Sequence, residues 1–391
     1  MDIIRPRLTD YHGIHKNQAD LDFAIQFFDE DIPLYVDPFL LWKSPSQQDN
    51  ALYTTITNSF NHLNYLIKKK QEDEALSILI DISECHEVGL GVSKTRKGTK
   101  ISKKQAQDIL SLFKDIPEYS QFGFTHFEII QLYISGISKD RISDITCNYL
   151  KSFLIDYTIE QCEINKIPTE GVILNSIYNY KTNKLDTNQK VYLPVNPLTK
   201  EPLIFTPKRW LRFNTWINYE DYFQKYCPRD EIFNPDEPEE RVKVLNFNRE
   251  NYGTIEGYIE YKTKASENCK NDPLFSQIPI LSAKRKLSQI LKLNTGKDHG
   301  ADMQYEELSA SLLASLFYPH LDFAQTQSRT ESGRHIRDLI FYNNRDIDFL
   351  DEIFTEYNNR QLVIEMKNVK EISRDHINQL NRYMQDNIGN F

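Results

Sequence analysis

The sequence predicts an α/β protein, α+β overall. A mostly helical amino-terminal region covers residues 1–165, a mixed α/β region 166–280, and a carboxy-terminal module 283–391 places helices around a mixed sheet. Three observations predict it. Apolar residues recur at helical spacing through the first 165 positions. From Gly171 short β-branched or aromatic runs take over, separated by Asn, Asp, Thr and Pro. From Ala283 the pattern becomes helix, turn, helix, strand, excursion, strand, helix.

The helical region rests on Leu52, Ile56, Phe60, Leu63, Leu66 and Ile67, and on SKKQAQDILSLFKDI, where a serine cap precedes Ile109, Leu110 and Phe113. SDITCNYLKSFLIDYTIEQCEI closes it. GVILNSIYNY, KVYLPV and EPLIFTP read as strands, INYEDYFQKY as a helix and NPDEPEER as an acidic loop. Residues 253–262 read as one more strand, and the segment near 267–273 as a boundary. In the last module AKRKLSQILKLN and YEELSASLLASLFY supply helices, RHIRDLIFYN and RQLVIEMKN strands, and SRDHINQLNRYMQ the final helix. The excursion DIDFLDEIFTEY reads as a short helix with Phe349, Leu350, Ile353 and Phe354 turned inward.

At 391 residues, 40% of them apolar, the chain has material for two or three packed domains. Its five cysteines show no paired CxxC spacing, which points to a reduced, cytoplasmic compartment and away from a structural zinc. No basic-then-apolar leader and no run of about 18 apolar residues is present, so no membrane partner is expected. A net charge of -9 argues against a surface that grips nucleic acid throughout. Two basic clusters remain candidates for local phosphate contact: KTRKGTKISKK, and KRKLSQILK with Lys284, Arg285 and Lys286. The competing readings are a solvated loop and a solvated helix face. Gly89, Gly91 and Gly98 in EVGLGVSKTRKG suggest a phosphate cradle, but the spacing matches neither common glycine-rich motif and a turn explains it better. Cys85 beside His86 is a weak candidate dyad, since no partner for the His is placed by sequence.

The residues that carry chemistry lie further on. Alternation along residues 362–367 puts Leu362, Ile364 and Met366 on one strand face and Val363, Glu365 and Lys367 on the other, with the two charged side chains ~7 Å apart at the backbone. Burying a Glu and a Lys is costly unless they pair or coordinate something. In HIRDLIFYN, Asp338 shares a face with Ile336 and Ile340, again an acid amid an apolar run. If the strands pair, Asp338 and Glu365 approach one divalent cation from neighbouring strands. Magnesium takes oxygen ligands and keeps several waters, and such a site serves phosphodiester hydrolysis. The triplet alone proves little, because Glu260-Tyr261-Lys262 repeats it without an acid on a preceding apolar strand.

Asp338 followed by Glu365-Met366-Lys367 resembles the D…(D/E)-x-K signature of the PD-(D/E)XK nuclease superfamily, the restriction-endonuclease-like fold, over roughly residues 283–391. GADMQYEELSASLLASLF is similar to the family's first core helix and implies Glu306, with Glu307 close behind, as a further metal-facing acid. Gln379 and Tyr383 reproduce the Q-x-x-x-Y element of the RecB-like branch, whose helix lies beside the active site. Arg337 stands where the family often has proline. The family's fold adds another strand and helix after that point, so the module reads as truncated after Phe391 or completed by another element.

The resemblance implies a Mg2+-dependent deoxyribonuclease, with Mn2+ as a substitute. Asp338, Glu365 and Glu306 would hold the metal, Lys367 would assist the attacking water, and Gln379 and Tyr383 would support the substrate. Arg329 and Arg334, before the Asp338 strand, and Lys284, Arg285 and Lys286 are candidate contacts to single- or double-stranded DNA; surface solvation is the competing reading. His335 and His376 are expected to be bystanders, since this chemistry is served by oxygen donors. By analogy with how the superfamily is used, the region before the module would sense or select, as in a restriction or anti-phage defence effector. That setting leaves room for partner subunits or a homo-oligomer. A second reading is a non-catalytic nucleic-acid-binding or scaffold subunit of a defence complex. A third is a phosphate-handling enzyme built on the glycine-rich segment.

Overall fold

The computed structural model describes residues 7–14, 16, 18, 20–93, 96, 98–233, 240–270, 278–317, 321–329, 336–343, 345 and 347–383. In chain order the elements are α1 (Leu8–His12), β1 (Tyr35–Val36), α2 (Pro38–Trp42), α3 (Gln47–Lys68), α4 (Glu72–Asp81), α5 (Lys103–Asp115), α6 (Pro117–Phe122), α7 (Lys139–Tyr149), α8 (Lys151–Asn165), β2 (Glu170–Leu174), β3 (Ile177–Asn179), β4 (Lys184–Asp186), β5 (Gln189–Leu193) and β6 (Leu211–Arg212). There follow α9 (Tyr219–Lys225), α10 (Arg229–Ile232), α11 (Arg241–Glu250), α12 (Tyr252–Lys264), α13 (Ile278–Ile290), α14 (Ala301–Phe317), β7 (Leu321–Arg329), β8 (Ile336–Asn343), α15 (Asp348–Tyr357), β9 (Gln361–Ile364) and α16 (Arg374–Tyr383). This is a mixed, helix-rich α+β chain with small sheets. Among the described residues no helix is long and apolar enough to cross a membrane.

Two compact units make up the chain: residues 22–273, and residues 274–391 together with 1–21. The segments read as 1–165 and 166–280 therefore share the first unit between residues 22 and 273. Its long helix α3 starts where the Ser46 side chain accepts the Asp49 N–H, and its inward stripe Ile56, Phe60, Leu63 and Leu66 is buried as the spacing predicts. Helix α5 opens on a full capping box: Ser102 accepts from the Gln105 N–H, and the Gln105 side chain returns to the Ser102 N–H. The strands β2 with β5, and β3 with β4, form two antiparallel pairs. EPLIFTP, expected as a strand, instead makes scattered backbone bonds, Leu203 N–H to Pro194 O and Ile204 N–H to Glu87 O, with Leu203, Ile204 and Phe205 wholly buried. A buried ion pair, Lys151 Nζ to Glu87 Oε1 at 2.9 Å, sits in this core.

Residues 253–262, expected as a strand, belong to α12. The physical reason is the spacing of its inward residues, Ile255, Tyr258 and Lys262, which is three then four. On that helix Glu260 and Lys262 point apart, as residues two apart must. Lys262 Nζ reaches Asp221 Oδ2 at 2.8 Å, while Glu260 pairs with Lys264 at 3.2 Å.

The second unit carries the sheet β7-β8-β9, antiparallel throughout. The sheet was expected to be mixed; the described strands contain no parallel pair. Leu339 and Phe341 of β8 pack with Ala310 of α14, Leu321, Leu350 of α15 and Met366, with Tyr305, Leu313, Ile353, Leu362 and Ile364 around them. The excursion is a helix, as expected, with Leu350 and Ile353 inward. Phe349, however, is 62% exposed. On the helix it lies about 100° from Leu350, beyond Ile353 at the margin of the inward stripe. Phe354 is half-buried, with the Arg345 guanidinium 4.2 Å from its ring centre.

Candidate active site

Pairing brings the two acids together. In the β8–β9 register Leu339 faces Ile364, Ile340 faces Val363 and Phe341 faces Leu362. Asp338 precedes the last paired residue of β8 and Glu365 follows the end of β9, so the same register, continued one step, points the two acids toward each other. Because Leu339 and Met366 go to the apolar core, alternation sends Asp338, Glu365 and Lys367 to the other face. Strand pairing ends there and a side-chain clamp takes over: Met366 donates its backbone N–H to Asp338 Oδ2 at 2.8 Å.

Lys367 lies between the acids. Its Nζ is 3.4 Å from Asp338 Oδ2 and also donates to Glu365 Oε1. Sharing one ammonium keeps those two oxygens within about 6 Å of each other. Gln379 of α16 donates its Nε2 to the same Glu365 Oε1 at 2.6 Å. The other oxygen, Glu365 Oε2, is buried and accepts no hydrogen bond among the described residues. The acids are sheltered, with side chains 9% (Asp338) and 7% (Glu365) exposed, while Lys367 keeps 24%.

Electrostatics follow from this crowding. Burial alone would lower the Lys367 pKa, but the Glu365 hydrogen bond and the nearby Asp338 charge outweigh it and hold the ammonium above the ordinary lysine value. Glu306, half-buried on α14, is shifted upward, first by burial and then by the Asp338 charge, with Lys367 opposing. It is thus within electrostatic reach of the cluster. Among the described residues, though, no group of three or more His, Cys, Asp or Glu side chains is arranged to hold a metal ion. The donor set that is assembled comprises two carboxylates, Asp338 on β8 and Glu365 just after β9, and of their oxygens Glu365 Oε2 is buried and uncommitted among the described residues. In kind it suits a hard divalent cation.

The other sequence-derived candidates fall out unevenly. Tyr383 ends α16, one turn beyond Gln379, and its side chain lies outside the described residues. So do the side chains of Arg329 and Arg285, and all of Arg334 and His335. Lys284 is exposed on α13. Lys286 departs from the expectation of a solvated basic face: it is 3% exposed and donates to Ser311 Oγ of α14 at 2.9 Å, because α13 packs against α14. Glu307 is exposed, and His376 Nδ1 accepts the Ser373 N–H at 3.0 Å.

Sequence reasoning missed two supports. Strand β7 was not anticipated, although Leu321 and Phe323 alternate with polar residues at its start. Asn368 was also missed. It follows the triplet directly and donates to Asn294 O and Gly296 O at 2.9 and 3.0 Å, anchoring the end of the site to the turn after α13.

Among its described residues the glycine-rich segment shows no phosphate cradle. Two of its amides are spent inside the fold, Gly89 N–H on His86 O and Gly91 N–H on Ile32 O, while the buried Arg96 guanidinium donates to Phe27 O at 2.8 Å. Lys94 and Lys97 lie outside the described residues. Cys85 is buried, and burial pushes its thiol well up, which removes the thiolate a nucleophile needs.

A family described as Domain of unknown function (DUF8370) matches residues 13–218, more than half of the chain, and the chain belongs to that family. No curated protein and no solved structure matches it. The matched segment ends before α9, so the cluster at 338–379 lies outside it.

Proposed function

We propose that the carboxy-terminal unit of this DUF8370 chain is a metal-dependent deoxyribonuclease module of the PD-(D/E)XK, restriction-endonuclease-like kind. One observation carries the proposal: Asp338, Glu365, Lys367 and Gln379, scattered over 42 positions of sequence, are joined by direct hydrogen bonds in one sheltered cluster. The order of helix, two strands, helical excursion, third strand and helix around them supports the same reading.

Asp338 and Glu365 would hold the ion, Mg2+ or Mn2+, with Glu365 Oε2 the oxygen left uncommitted for it. When bound, such an ion neutralises phosphate charge and polarises water for attack. The chain's own part is positioning and charge. Gln379 fixes the Glu365 carboxylate by holding Oε1. Lys367, kept above the ordinary lysine value, stays protonated at neutral pH, so it acts as a cation toward the charge developing on the phosphate and does not abstract a proton. Glu306 contributes negative charge from α14. A basic approach surface for DNA would include the exposed Lys284.

The test is cleavage of plasmid and single-stranded DNA with Mg2+, Mn2+ or EDTA. Turnover should fall about 100-fold or more in Asp338→Ala, Glu365→Ala and Lys367→Ala if each removes a principal electrostatic term. Full activity in Glu365→Ala would end the assignment. A second reading, a non-catalytic scaffold subunit, is favoured by the fact that Lys367 already pairs with both acids internally. It predicts DNA retention without cleavage under every metal condition.

A further inference from the structure

The first unit contains a cavity of about 350 Å³, within the range that holds small ligands. One wall is a face of α12, where Tyr252, Glu256 and Glu260 follow one another at every fourth residue and so project together. Facing residues include Trp42, Tyr119 and His126. The rings are held in place. Tyr119 and Tyr252 meet edge to face at 5.3 Å, and Trp42 stands edge-on to His126 at 5.4 Å. His126, 2% exposed, is locked through Nδ1 by Tyr53 Oη at 2.7 Å and Glu128 Oε1 at 3.3 Å. Behind it Glu128 is fully buried, and its second carboxylate oxygen has no hydrogen-bond partner among the described residues.

These walls select by charge. Aromatic faces carry negative quadrupoles, and the carboxylates of Glu128, Glu256 and Glu260 add to the same sign. The one lysine of the lining, Lys264, is exposed and pairs with Glu260 at 3.2 Å. The rings and the glutamates disfavour an anion, and the Lys264 charge is already met by Glu260. A bare metal ion gains little from walls made chiefly of rings and isoleucine side chains. The ligand that uses both features is a cation with an apolar periphery. We propose that this cavity binds a small organic cation, an alkylammonium or quaternary ammonium group received among Trp42, Tyr119 and Tyr252 with Glu256 and Glu260 beside it. The proposal stands independently of the nuclease reading, since every residue in it belongs to the first unit.

The test titrates the full chain with choline, and in parallel with 3,3-dimethylbutanol, an uncharged isostere, by calorimetry. Choline should bind and the isostere should bind roughly tenfold more weakly, the discrimination expected of a partly desolvated cation–π site. Because Glu256 and Glu260 are exposed, the double variant Glu256→Gln, Glu260→Gln should keep the fold, checked by circular dichroism, and lose roughly tenfold in choline affinity. Trp42→Leu should abolish binding. Equal affinity for the isostere, no choline binding at 20 mM, or unchanged affinity in the Glu256/Glu260 variant would each overturn the proposal.

Discussion

Replacing Lys367 with Met keeps the apolar stem and removes the charge that joins Asp338 to Glu365. Two costs follow. The carboxylates, within about 6 Å, repel by about 3 kcal/mol at an effective dielectric of ~20. Lost charge-assisted hydrogen bonds add ~1.5 to 3 kcal/mol each. Against these stand the relief of burying an ammonium and solvent screening at a side chain 24% exposed. A net destabilisation of about 2 to 4 kcal/mol is expected around the site at pH 7. Tryptophan fluorescence cannot report it, because Trp42, Trp210 and Trp216 all lie in the first unit. Hydrogen exchange of the β8 amides Leu339 to Phe341 can, and it should accelerate roughly thirty- to thousandfold. Addition of 10 mM MgCl2 should restore protection in Lys367→Met more than in the wild type, because a cation then takes over the balancing charge. Exchange within about threefold of wild type without metal would refute the electrostatic reasoning. Loss of protection with no response to Mg2+ would leave that reasoning standing and remove the metal.

Three further outcomes can be checked. Glu306 has a raised pKa in the fold, so the native state holds its proton more tightly than the unfolded chain and stability declines as pH rises from the ordinary carboxylate value through the raised one. Glu306→Gln should therefore gain stability at pH 7 but not at pH 4, by less than about 1 kcal/mol given partial exposure, read as the difference in Tm. Lys151→Met strands buried Glu87 and should cost about 3 to 5 kcal/mol in urea denaturation followed by tryptophan fluorescence; adding Glu87→Leu should recover most of it. Gly89→Ala drives a Cβ into the buried Arg96 guanidinium at a backbone φ of +59°, and should destabilise the first unit by about 2 to 4 kcal/mol in the same assay.

Much of this was legible where one rule acted alone. Helices α3 and α5 follow from apolar spacing and a serine cap, and both formed as read. Periodicity failed where two periods fit the same residues. In EGYIEYKTK, polar and apolar residues alternate well enough to suggest a strand, yet Ile255, Tyr258 and Lys262 also share a helical face, and packing of Tyr258 and Lys262 against Asp221 selects the helix. The alternation of Asp338 with Leu339, and of Glu365 with Met366, was readable because the apolar partners fill one core. What sequence could not supply was the long-range part: the Met366 N–H on Asp338, the inward turn of Lys286 toward Ser311, and the anchoring by Asn368. Each depends on which elements become neighbours, and that is decided by tertiary packing.

The two E-x-K triplets show how context arranges the same letters differently. On α12 the helix sends Glu260 toward the cavity and Lys262 inward to Asp221, so the pair never meets and each charge is satisfied separately. After β9 the extended chain sends Glu365 and Lys367 to one face, and Asp338 arrives opposite from β8. A purely structural ion pair there would be poorly made. An unpartnered buried carboxylate oxygen costs about 1 to 3 kcal/mol, and an apolar pair of the same size would avoid that cost. Lys367 cancels part of the charge without using Glu365 Oε2, and Glu306 adds a further acid whose ionisation the cluster opposes. A cation at Oε2 would relieve both defects at once, and this excess of unmet negative charge is the physical content of the metal-site proposal.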